Sequence, residues 1–117
     1  MRGILKATII ASAFALAAPV VRGEVDKKTE RTWKGKCASC HGADGKGQTD
    51  QGLKMGIADY STPAWQKAHD DAGMKKAISG GVKLEKDGKK QEMDSYQDKL
   101  SPEQVDQLVA YVRTLAK

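Results

Sequence analysis

The C-terminal segment has the clearest pattern of apolar and polar positions in the chain. Its apolar residues recur every three or four positions, which predicts an amphipathic helix, and they are Val105, Leu108, Val109, Val112 and Leu115. Ser101, Pro102 and Gln104 match an N-cap, a proline at the first helical position and the third residue of a capping box. The pattern therefore predicts a helix from Pro102 almost to Lys117.

A second helix is predicted to lead into the two cysteines of the chain. Its apolar stripe is narrow, because Val25, Thr29, Trp33 and Cys37 repeat only every four residues. A helix of this kind is not stable alone. We therefore expect it to pack across the C-terminal helix, with Trp33 and Tyr111 near the crossing.

A third helix is predicted over Asp71 to Ser79, with Gly80 placed to end it. The lysine-rich segment from Val82 to Lys90 and the glycine-rich segment after His41 are predicted to be loops. No alternating run of β-branched or aromatic residues predicts a strand. The predicted fold class is therefore all-α, with long connecting loops.

The first 23 residues have the organisation of a secretory signal peptide. Arg2 and Lys6 form a basic start, positions 7–18 are apolar, and small residues precede Glu24. The apolar run is shorter than the roughly 20 residues that span a membrane. We therefore expect residues 1–23 to be removed on export, no membrane span, and residues 24–117 to form one small periplasmic domain.

Removal of that segment changes the charge of the chain. It contains three of the 20 basic residues and none of the 15 acidic residues, so the net charge falls from +5 to +2. Such a weak positive charge gives no reason to expect nucleic acid or an anionic membrane as a partner. A domain of this size has a marginal core when side chains alone fill it, which favours a buried prosthetic group.

The only two cysteines form a Cys-x-x-Cys-His motif with the next residue. Cys37, Cys40 and His41 share one face of a helix, so both sulfurs can reach a porphyrin edge while the imidazole faces its iron. A thioredoxin-type redox pair would need a strand–helix–strand pattern, which the sequence does not show. A zinc site would need four ligands at compatible spacing. A disulfide between Cys37 and Cys40 would close too short a loop to stabilise the fold much. The motif therefore predicts one haem c, held by two thioethers, with His41 as an iron ligand.

The sixth iron ligand has four candidates, which are Met55, Met74, Met93 and His69. Met93 is preferred because it lies just before the C-terminal helix, where it could be held against the ring face opposite His41. Met74 is on the apolar face of a predicted helix and is expected in the core. Met55 is the weaker loop alternative, and His69, beside two aspartates, is expected at the surface.

With these residues assigned, the chain resembles the class I cytochromes c over nearly all of residues 24–117. The matching segments are Cys37 to Gly42 with the glycines after it, Met93 to Tyr96, Leu100 to Gln104 and Leu108 to Val112. The resemblance implies that the first and last helices cross, that a haem lies in the crevice they support, and that Met93 is the distal ligand.

Three positions depart from the family pattern. Asp94 replaces the usual proline after the ligand methionine, and Thr29 stands where many members have glycine at the helix crossing. The segment from Gln48 to Gly52 has no proline whose carbonyl could orient the imidazole of His41, so that orienting group is unassigned. None of these changes removes a ligand.

The resemblance implies an electron carrier rather than an enzyme, with both axial positions permanently filled. The export signal indicates the periplasm, and we expect a monomer. Lysines could surround an exposed ring edge and steer an acidic redox partner, and they are Lys34, Lys36, Lys46, Lys83, Lys86, Lys89 and Lys90. Two alternatives stay open. One is a ligand-binding, sensing or peroxidase-like haem protein with a displaceable sixth ligand, and the other is the haem subunit of a larger oxidoreductase.

Overall fold

A computed structural model describes residues 26–117. The predicted signal peptide at 1–23 and Val25 lie outside the described residues. The elements in chain order are α1 Lys27–Thr32, a π-helical turn Trp33–Cys37, α2 Ala38–His41, α3 Asp50–Met55, α4 Pro63–Ala68, α5 Asp71–Gly80, β1 Val82–Lys86, β2 Lys89–Met93 and α6 Pro102–Thr114. The chain is mostly helical, as predicted, with one small sheet in addition.

The first helical stretch is continuous from α1 to α2 but widens to a π-turn in the middle. Asp26 caps its start by accepting a hydrogen bond from the Thr29 backbone N–H. In the π-turn, the Ala38 N–H bonds to the carbonyl of Trp33, five residues back. The π-turn thus links α1 directly to α2, and Cys37 is its last residue.

The C-terminal helix α6 begins as predicted. The hydroxyl of Ser101 accepts from the Gln104 N–H, and the Gln104 side chain accepts from the Ser101 N–H, which completes the capping box. Pro102 occupies the first turn. The predicted helix start is therefore confirmed.

Helices α1 and α6 cross, as predicted. The rings of Trp33 and Tyr111 lie 5.4 Å apart. Thr29 is 3% exposed, and its hydroxyl donates to the Gln107 side-chain oxygen on α6 over 3.2 Å. The threonine that replaces the family's glycine thus bonds the two helices together.

One cluster of buried apolar side chains forms the core between these helices and α5. Its members are Trp33, Met74, Leu100, Val105, Leu108, Val109 and Val112. Met74 is in this core, as its place on the apolar face of α5 predicted. The core is thin, and partly buried aromatic residues extend it toward a cavity.

The prediction of a loop at Val82 to Lys90 is wrong, because this segment forms most of a β-hairpin. Strands β1 and β2 pair antiparallel, with Val82 opposite Met93. Asp87 and Gly88 have φ of 52° and 75°, the positive values that a two-residue hairpin turn requires. Most of the hairpin is solvent-exposed, so lysines and glutamates occupy many of its positions. The sequence therefore lacks the alternation of apolar and polar residues by which a strand is recognised.

Two further helices, α3 and α4, lie in what the sequence pattern predicts as long connecting loops. Thr49 and Thr62 cap them by accepting from the N–H groups of Gly52 and Trp65. Pro63 starts α4. Each helix is only six residues long, which is too short for an apolar period to be recognised. Within the described part of the chain, no helix is long and apolar enough to cross a membrane.

Candidate functional site

A cavity of about 510 Å³ lies beside the core, and every segment predicted to carry chemistry contributes to its wall. The volume is in the usual range for sites that bury a cofactor or another small molecule, about 300–1,000 Å³. The cysteines and His41 line one part, and Met55, Met74, Met93 and His69 line others. The structure therefore brings all the predicted site residues and all the candidate sixth ligands to one cavity.

The two cysteines reach the cavity from the end of the first helical stretch. Both are partly buried and free. Burial raises the pKa of the Cys37 thiol to about 11, although the nearby Lys36 opposes this effect. The Cys37 thiol is therefore protonated near neutral pH.

His41 is held as a neutral imidazole. Burial lowers the pKa of its side chain to about 4, which leaves the ring uncharged near neutral pH. Neutral imidazole is the form that ligates metals. Its Nδ1 atom is buried and has no hydrogen-bond partner among the described residues.

The glycine-rich segment after His41 folds back tightly on the motif. The Gly47 N–H donates to the His41 carbonyl over 2.8 Å, and the Thr49 hydroxyl donates to the Cys40 carbonyl over 2.7 Å. A Cβ on Gly52 would lie 2.6 Å from the Cys40 carbonyl oxygen. Glycine is therefore required there for α3 to pack against the backbone of the motif.

Met93 lies at the end of β2, in a segment that is braced on several sides. The Ser95 hydroxyl and the Tyr96 N–H donate to the carbonyls of Ser79 and Ile78 at the end of α5, over 2.6 and 3.0 Å. The Tyr96 hydroxyl donates to the Lys36 carbonyl over 3.2 Å. These bonds tie the segment after Met93 both to α5 and to the turn that bears Cys37.

Met55 reaches the same cavity from the end of α3. The Gln91 amide donates to the carbonyls of Met55 and Gly56, over 3.0 and 3.1 Å. Helix α3 and the hairpin are thus joined at the cavity wall. Because Met55 lines the same cavity as Met93, it stays the alternative candidate for the sixth iron ligand. His69 is exposed, as predicted, although it also reaches the cavity wall.

The predicted lysines occupy different environments. Lys36 and Lys86 line the cavity. The Lys34 ammonium lies 2.8 Å from Glu30, and the Lys89 ammonium donates to the Leu53 carbonyl over 3.2 Å. Of the remaining three, Lys46 is half-buried, and Lys83 and Lys90 are exposed on the hairpin.

Sequence reasoning missed the aromatic wall of the cavity. Tyr60 and Trp65 line it, their ring centroids lie 4.2 Å apart, and both pack against the core. Both follow short turns and have no periodic pattern. Only Pro63 after Thr62, a helix-start signal, could have indicated that a structured wall follows the glycine-rich segment.

These residues fit a haem. The cavity is largely apolar, two free thiols and a neutral imidazole lie on its wall, and a methionine lies on a braced segment of another wall. Sulfur and imidazole donors of this kind are the ones that haem iron and its thioether attachment use. The arrangement therefore fits a covalently held haem.

The comparisons with known proteins agree with this fit. The family model for cytochrome c matches residues 27–116, and the chain therefore belongs to the cytochrome c family. Its fold is that of a small class I c-type cytochrome. The family supports a haem-based electron carrier in which haem c is bound covalently.

Solved structures include similar proteins. The KustC0563 c-type cytochrome is 29% identical, with a TM-score of 0.64 over 76% of this chain and 98% of that one. A tyrosine-to-phenylalanine mutant of Kustc0563 gives a TM-score of 0.62 at 29% identity, over 74% of this chain and 96% of that one. The comparison with curated proteins gave no match.

Proposed function

We propose that this protein is a periplasmic electron carrier with a single haem c. Cys37 and Cys40 would form the two thioethers, and His41 and Met93 would be the axial ligands. The observation that supports this assignment most is that one cavity joins the Cys-x-x-Cys-His motif to a braced methionine. We further propose that residues 1–23 are a cleaved export signal and that the protein has no enzymatic activity of its own.

When bound, the haem supplies a one-electron couple between ferric and ferrous iron. The chain's own residues set the conditions for that couple. Neutral His41 and a thioether donor favour the ferrous state relative to anionic ligands. The apolar wall formed by Trp33, Tyr60 and Ile78 keeps water out, which favours the less charged state of the site.

The contacts that hold the Met93 segment in place favour rapid electron transfer. A carrier that exchanges electrons rapidly must change its ligand geometry little between oxidation states, because each movement adds to the barrier. Met93 is fixed by strand pairing with Val82 on one side and by the bonds of Ser95 and Tyr96 on the other. Met55 lies at the end of a six-residue helix and has fewer such constraints.

The ligand assignment is tested by the visible and near-infrared spectra of the mature ferric protein. We expect the weak charge-transfer band of methionine-ligated low-spin haem in the wild type and in Met55→Ala, and its loss in Met93→Ala. Loss in Met55→Ala alone would move the ligand to Met55. A wild type without the band that binds carbon monoxide rapidly when reduced would favour the sensor or peroxidase-like alternative.

Covalent attachment is tested separately on the same proteins. Wild-type haem should stay with the polypeptide on a denaturing gel. Cys37→Ala and Cys40→Ala should each leave one thioether, and the double variant none. N-terminal sequencing of the exported protein checks the predicted start at Glu24, and a start within the first few residues of the chain would contradict cleavage.

We also propose that lysines near the cavity guide an acidic redox partner. Lys36 and Lys86 line the cavity, and Lys83 and Lys90 are exposed on the adjoining hairpin. Exposed charges act over about 10 Å at 0.1 M salt. The rate of reduction by an acidic redox protein should therefore fall as ionic strength rises, and a rate independent of salt would exclude this form of docking.

A further inference from the structure

The imidazole of His41 lacks the hydrogen bond that usually fixes a metal-binding histidine. Such a residue normally donates its second ring N–H to a carbonyl or carboxylate, which fixes the ring and increases its basicity. Here Nδ1 is buried and has no partner among the described residues. The ring must therefore be held in another way.

Two aromatic rings contact the imidazole. The Trp33 ring lies 5.8 Å from it, centroid to centroid, at an interplanar angle of 29°. The Tyr60 ring lies 4.9 Å away at 31°. Trp33 and Tyr60 form no ring pair with each other in the described part of the chain, so the imidazole contacts two separate rings.

Both flanking rings are themselves fixed. The indole N–H of Trp33 donates to the Gly42 carbonyl over 3.1 Å, and Trp33 is 3% exposed. The Tyr60 N–H donates to the Gly45 carbonyl over 2.8 Å. The Gln66 amide donates to the Tyr60 carbonyl over 2.7 Å, and the Tyr60 ring contacts the Trp65 ring. An imidazole that contacts two fixed rings has less freedom to rotate than one that contacts none.

We propose that Trp33 and Tyr60 are positioning residues that fix the imidazole plane of His41 by ring contact, in place of a hydrogen bond to Nδ1. The proposal rests on His41 being an axial ligand. Its consequence is chemical as well as geometric. An Nδ1–H without an acceptor leaves the imidazole a weaker donor than a hydrogen-bonded one, and a weaker donor favours ferrous iron.

Tyr60 is the residue to change, because Trp33 belongs to the core. Tyr60→Leu removes the flanking ring and lets water reach Nδ1, whereas Tyr60→Phe keeps the ring. Tyr111→Leu is a matched control, since Tyr111 is also half-buried and contacts Trp33 but not His41 in the ring pairs described. Each variant is prepared as the mature holoprotein.

Three readouts decide the proposal. The wild-type ¹⁵N spectrum should show an Nδ1–H without a strong acceptor. Tyr60→Leu should change the pattern of haem methyl proton shifts, which reports the imidazole plane in the ferric state. It should also lower the equilibrium constant for reduction about tenfold, which is 59 mV for one electron. Tyr60→Phe and Tyr111→Leu should match the wild type in both properties.

The proposal is overturned by a strongly hydrogen-bonded Nδ1–H in the wild type, a measurement that needs no variant to fold. It is also overturned by unchanged methyl shifts and potential in Tyr60→Leu, or by equal effects of the leucine and phenylalanine variants, which would assign the effect to the hydroxyl. A wild-type spectrum without histidine-ligated low-spin haem would instead refute the ligand assignment itself, so the two failures are distinguishable.

Discussion

Arg113 of α6 joins three separate parts of the chain, and its removal should lower stability substantially. Its Nη1 donates to the Gln66 carbonyl and side-chain oxygen, over 2.6 and 2.9 Å. Nη2 donates to the His69 carbonyl over 2.6 Å, and Nε donates to the Asp71 carboxylate over 3.0 Å. The planar guanidinium thus ties α4 and the start of α5 to α6.

The size of the effect follows from the exposure of these contacts. The two bonds to Gln66 are partly buried, and each contributes about 1 kcal/mol or slightly more. The contacts with His69 and Asp71 are exposed, and together they add at most about 1 kcal/mol. Arg113→Ala should therefore reduce the free energy of unfolding by about 2–3 kcal/mol, or the melting temperature by about 10–20 °C.

Thermal and urea unfolding of the holoprotein, followed by circular dichroism, measure this loss. Arg113→Lys should recover less than half of the lost free energy of unfolding, because one ammonium group cannot reproduce the planar set of N–H donors of the guanidinium. Arg31→Ala, which removes an exposed arginine from α1, should change the free energy by less than about 0.5 kcal/mol. If Arg113→Ala is no less stable than Arg31→Ala, the guanidinium contacts do not stabilise the fold.

Two further predictions concern the N-terminal cap and the segment of the proposed ligand. Hydrogen bonds from Thr29 lower the pKa of Asp26 below its ordinary value of 3.8, so the folded state binds this proton less readily than the unfolded state. The stabilisation of the folded state by ionised Asp26 is therefore complete above pH 3.8 and is lost as the pH falls below that value. Asp26→Asn should be less stable than wild type at pH 6 but equally stable near the acid limit, and a constant difference in urea unfolding would contradict this. Gly81 has φ of 76°, and a Cβ there would lie 2.6 Å from the Met93 carbonyl oxygen. Gly81→Ala should cost at least about 1 kcal/mol and shift the methionine charge-transfer band; an unchanged band would show that the proposed ligand does not depend on this contact.

Features set by neighbouring residues could be predicted from the sequence. The α6 capping box uses Ser101 and Gln104, which lie three residues apart, and a cap of this kind forms wherever the backbone turns. The Cys-x-x-Cys-His spacing places both thiols and the imidazole on one helical face for the same reason. The α1–α6 crossing followed from two one-sided helices, because each needed an apolar partner.

The tertiary structure decided the features that depend on residues far apart in the chain. Arg113 and Gln66 are 47 positions apart, and no local pattern indicates that they meet. The hairpin forms from a charged segment because its strands pair and its inner residues contact α3. The contact of the Tyr60 ring with His41 depends on how the glycine-rich segment folds back. Local rules act within one helical turn or one hairpin, whereas these contacts exist only after the helices have packed.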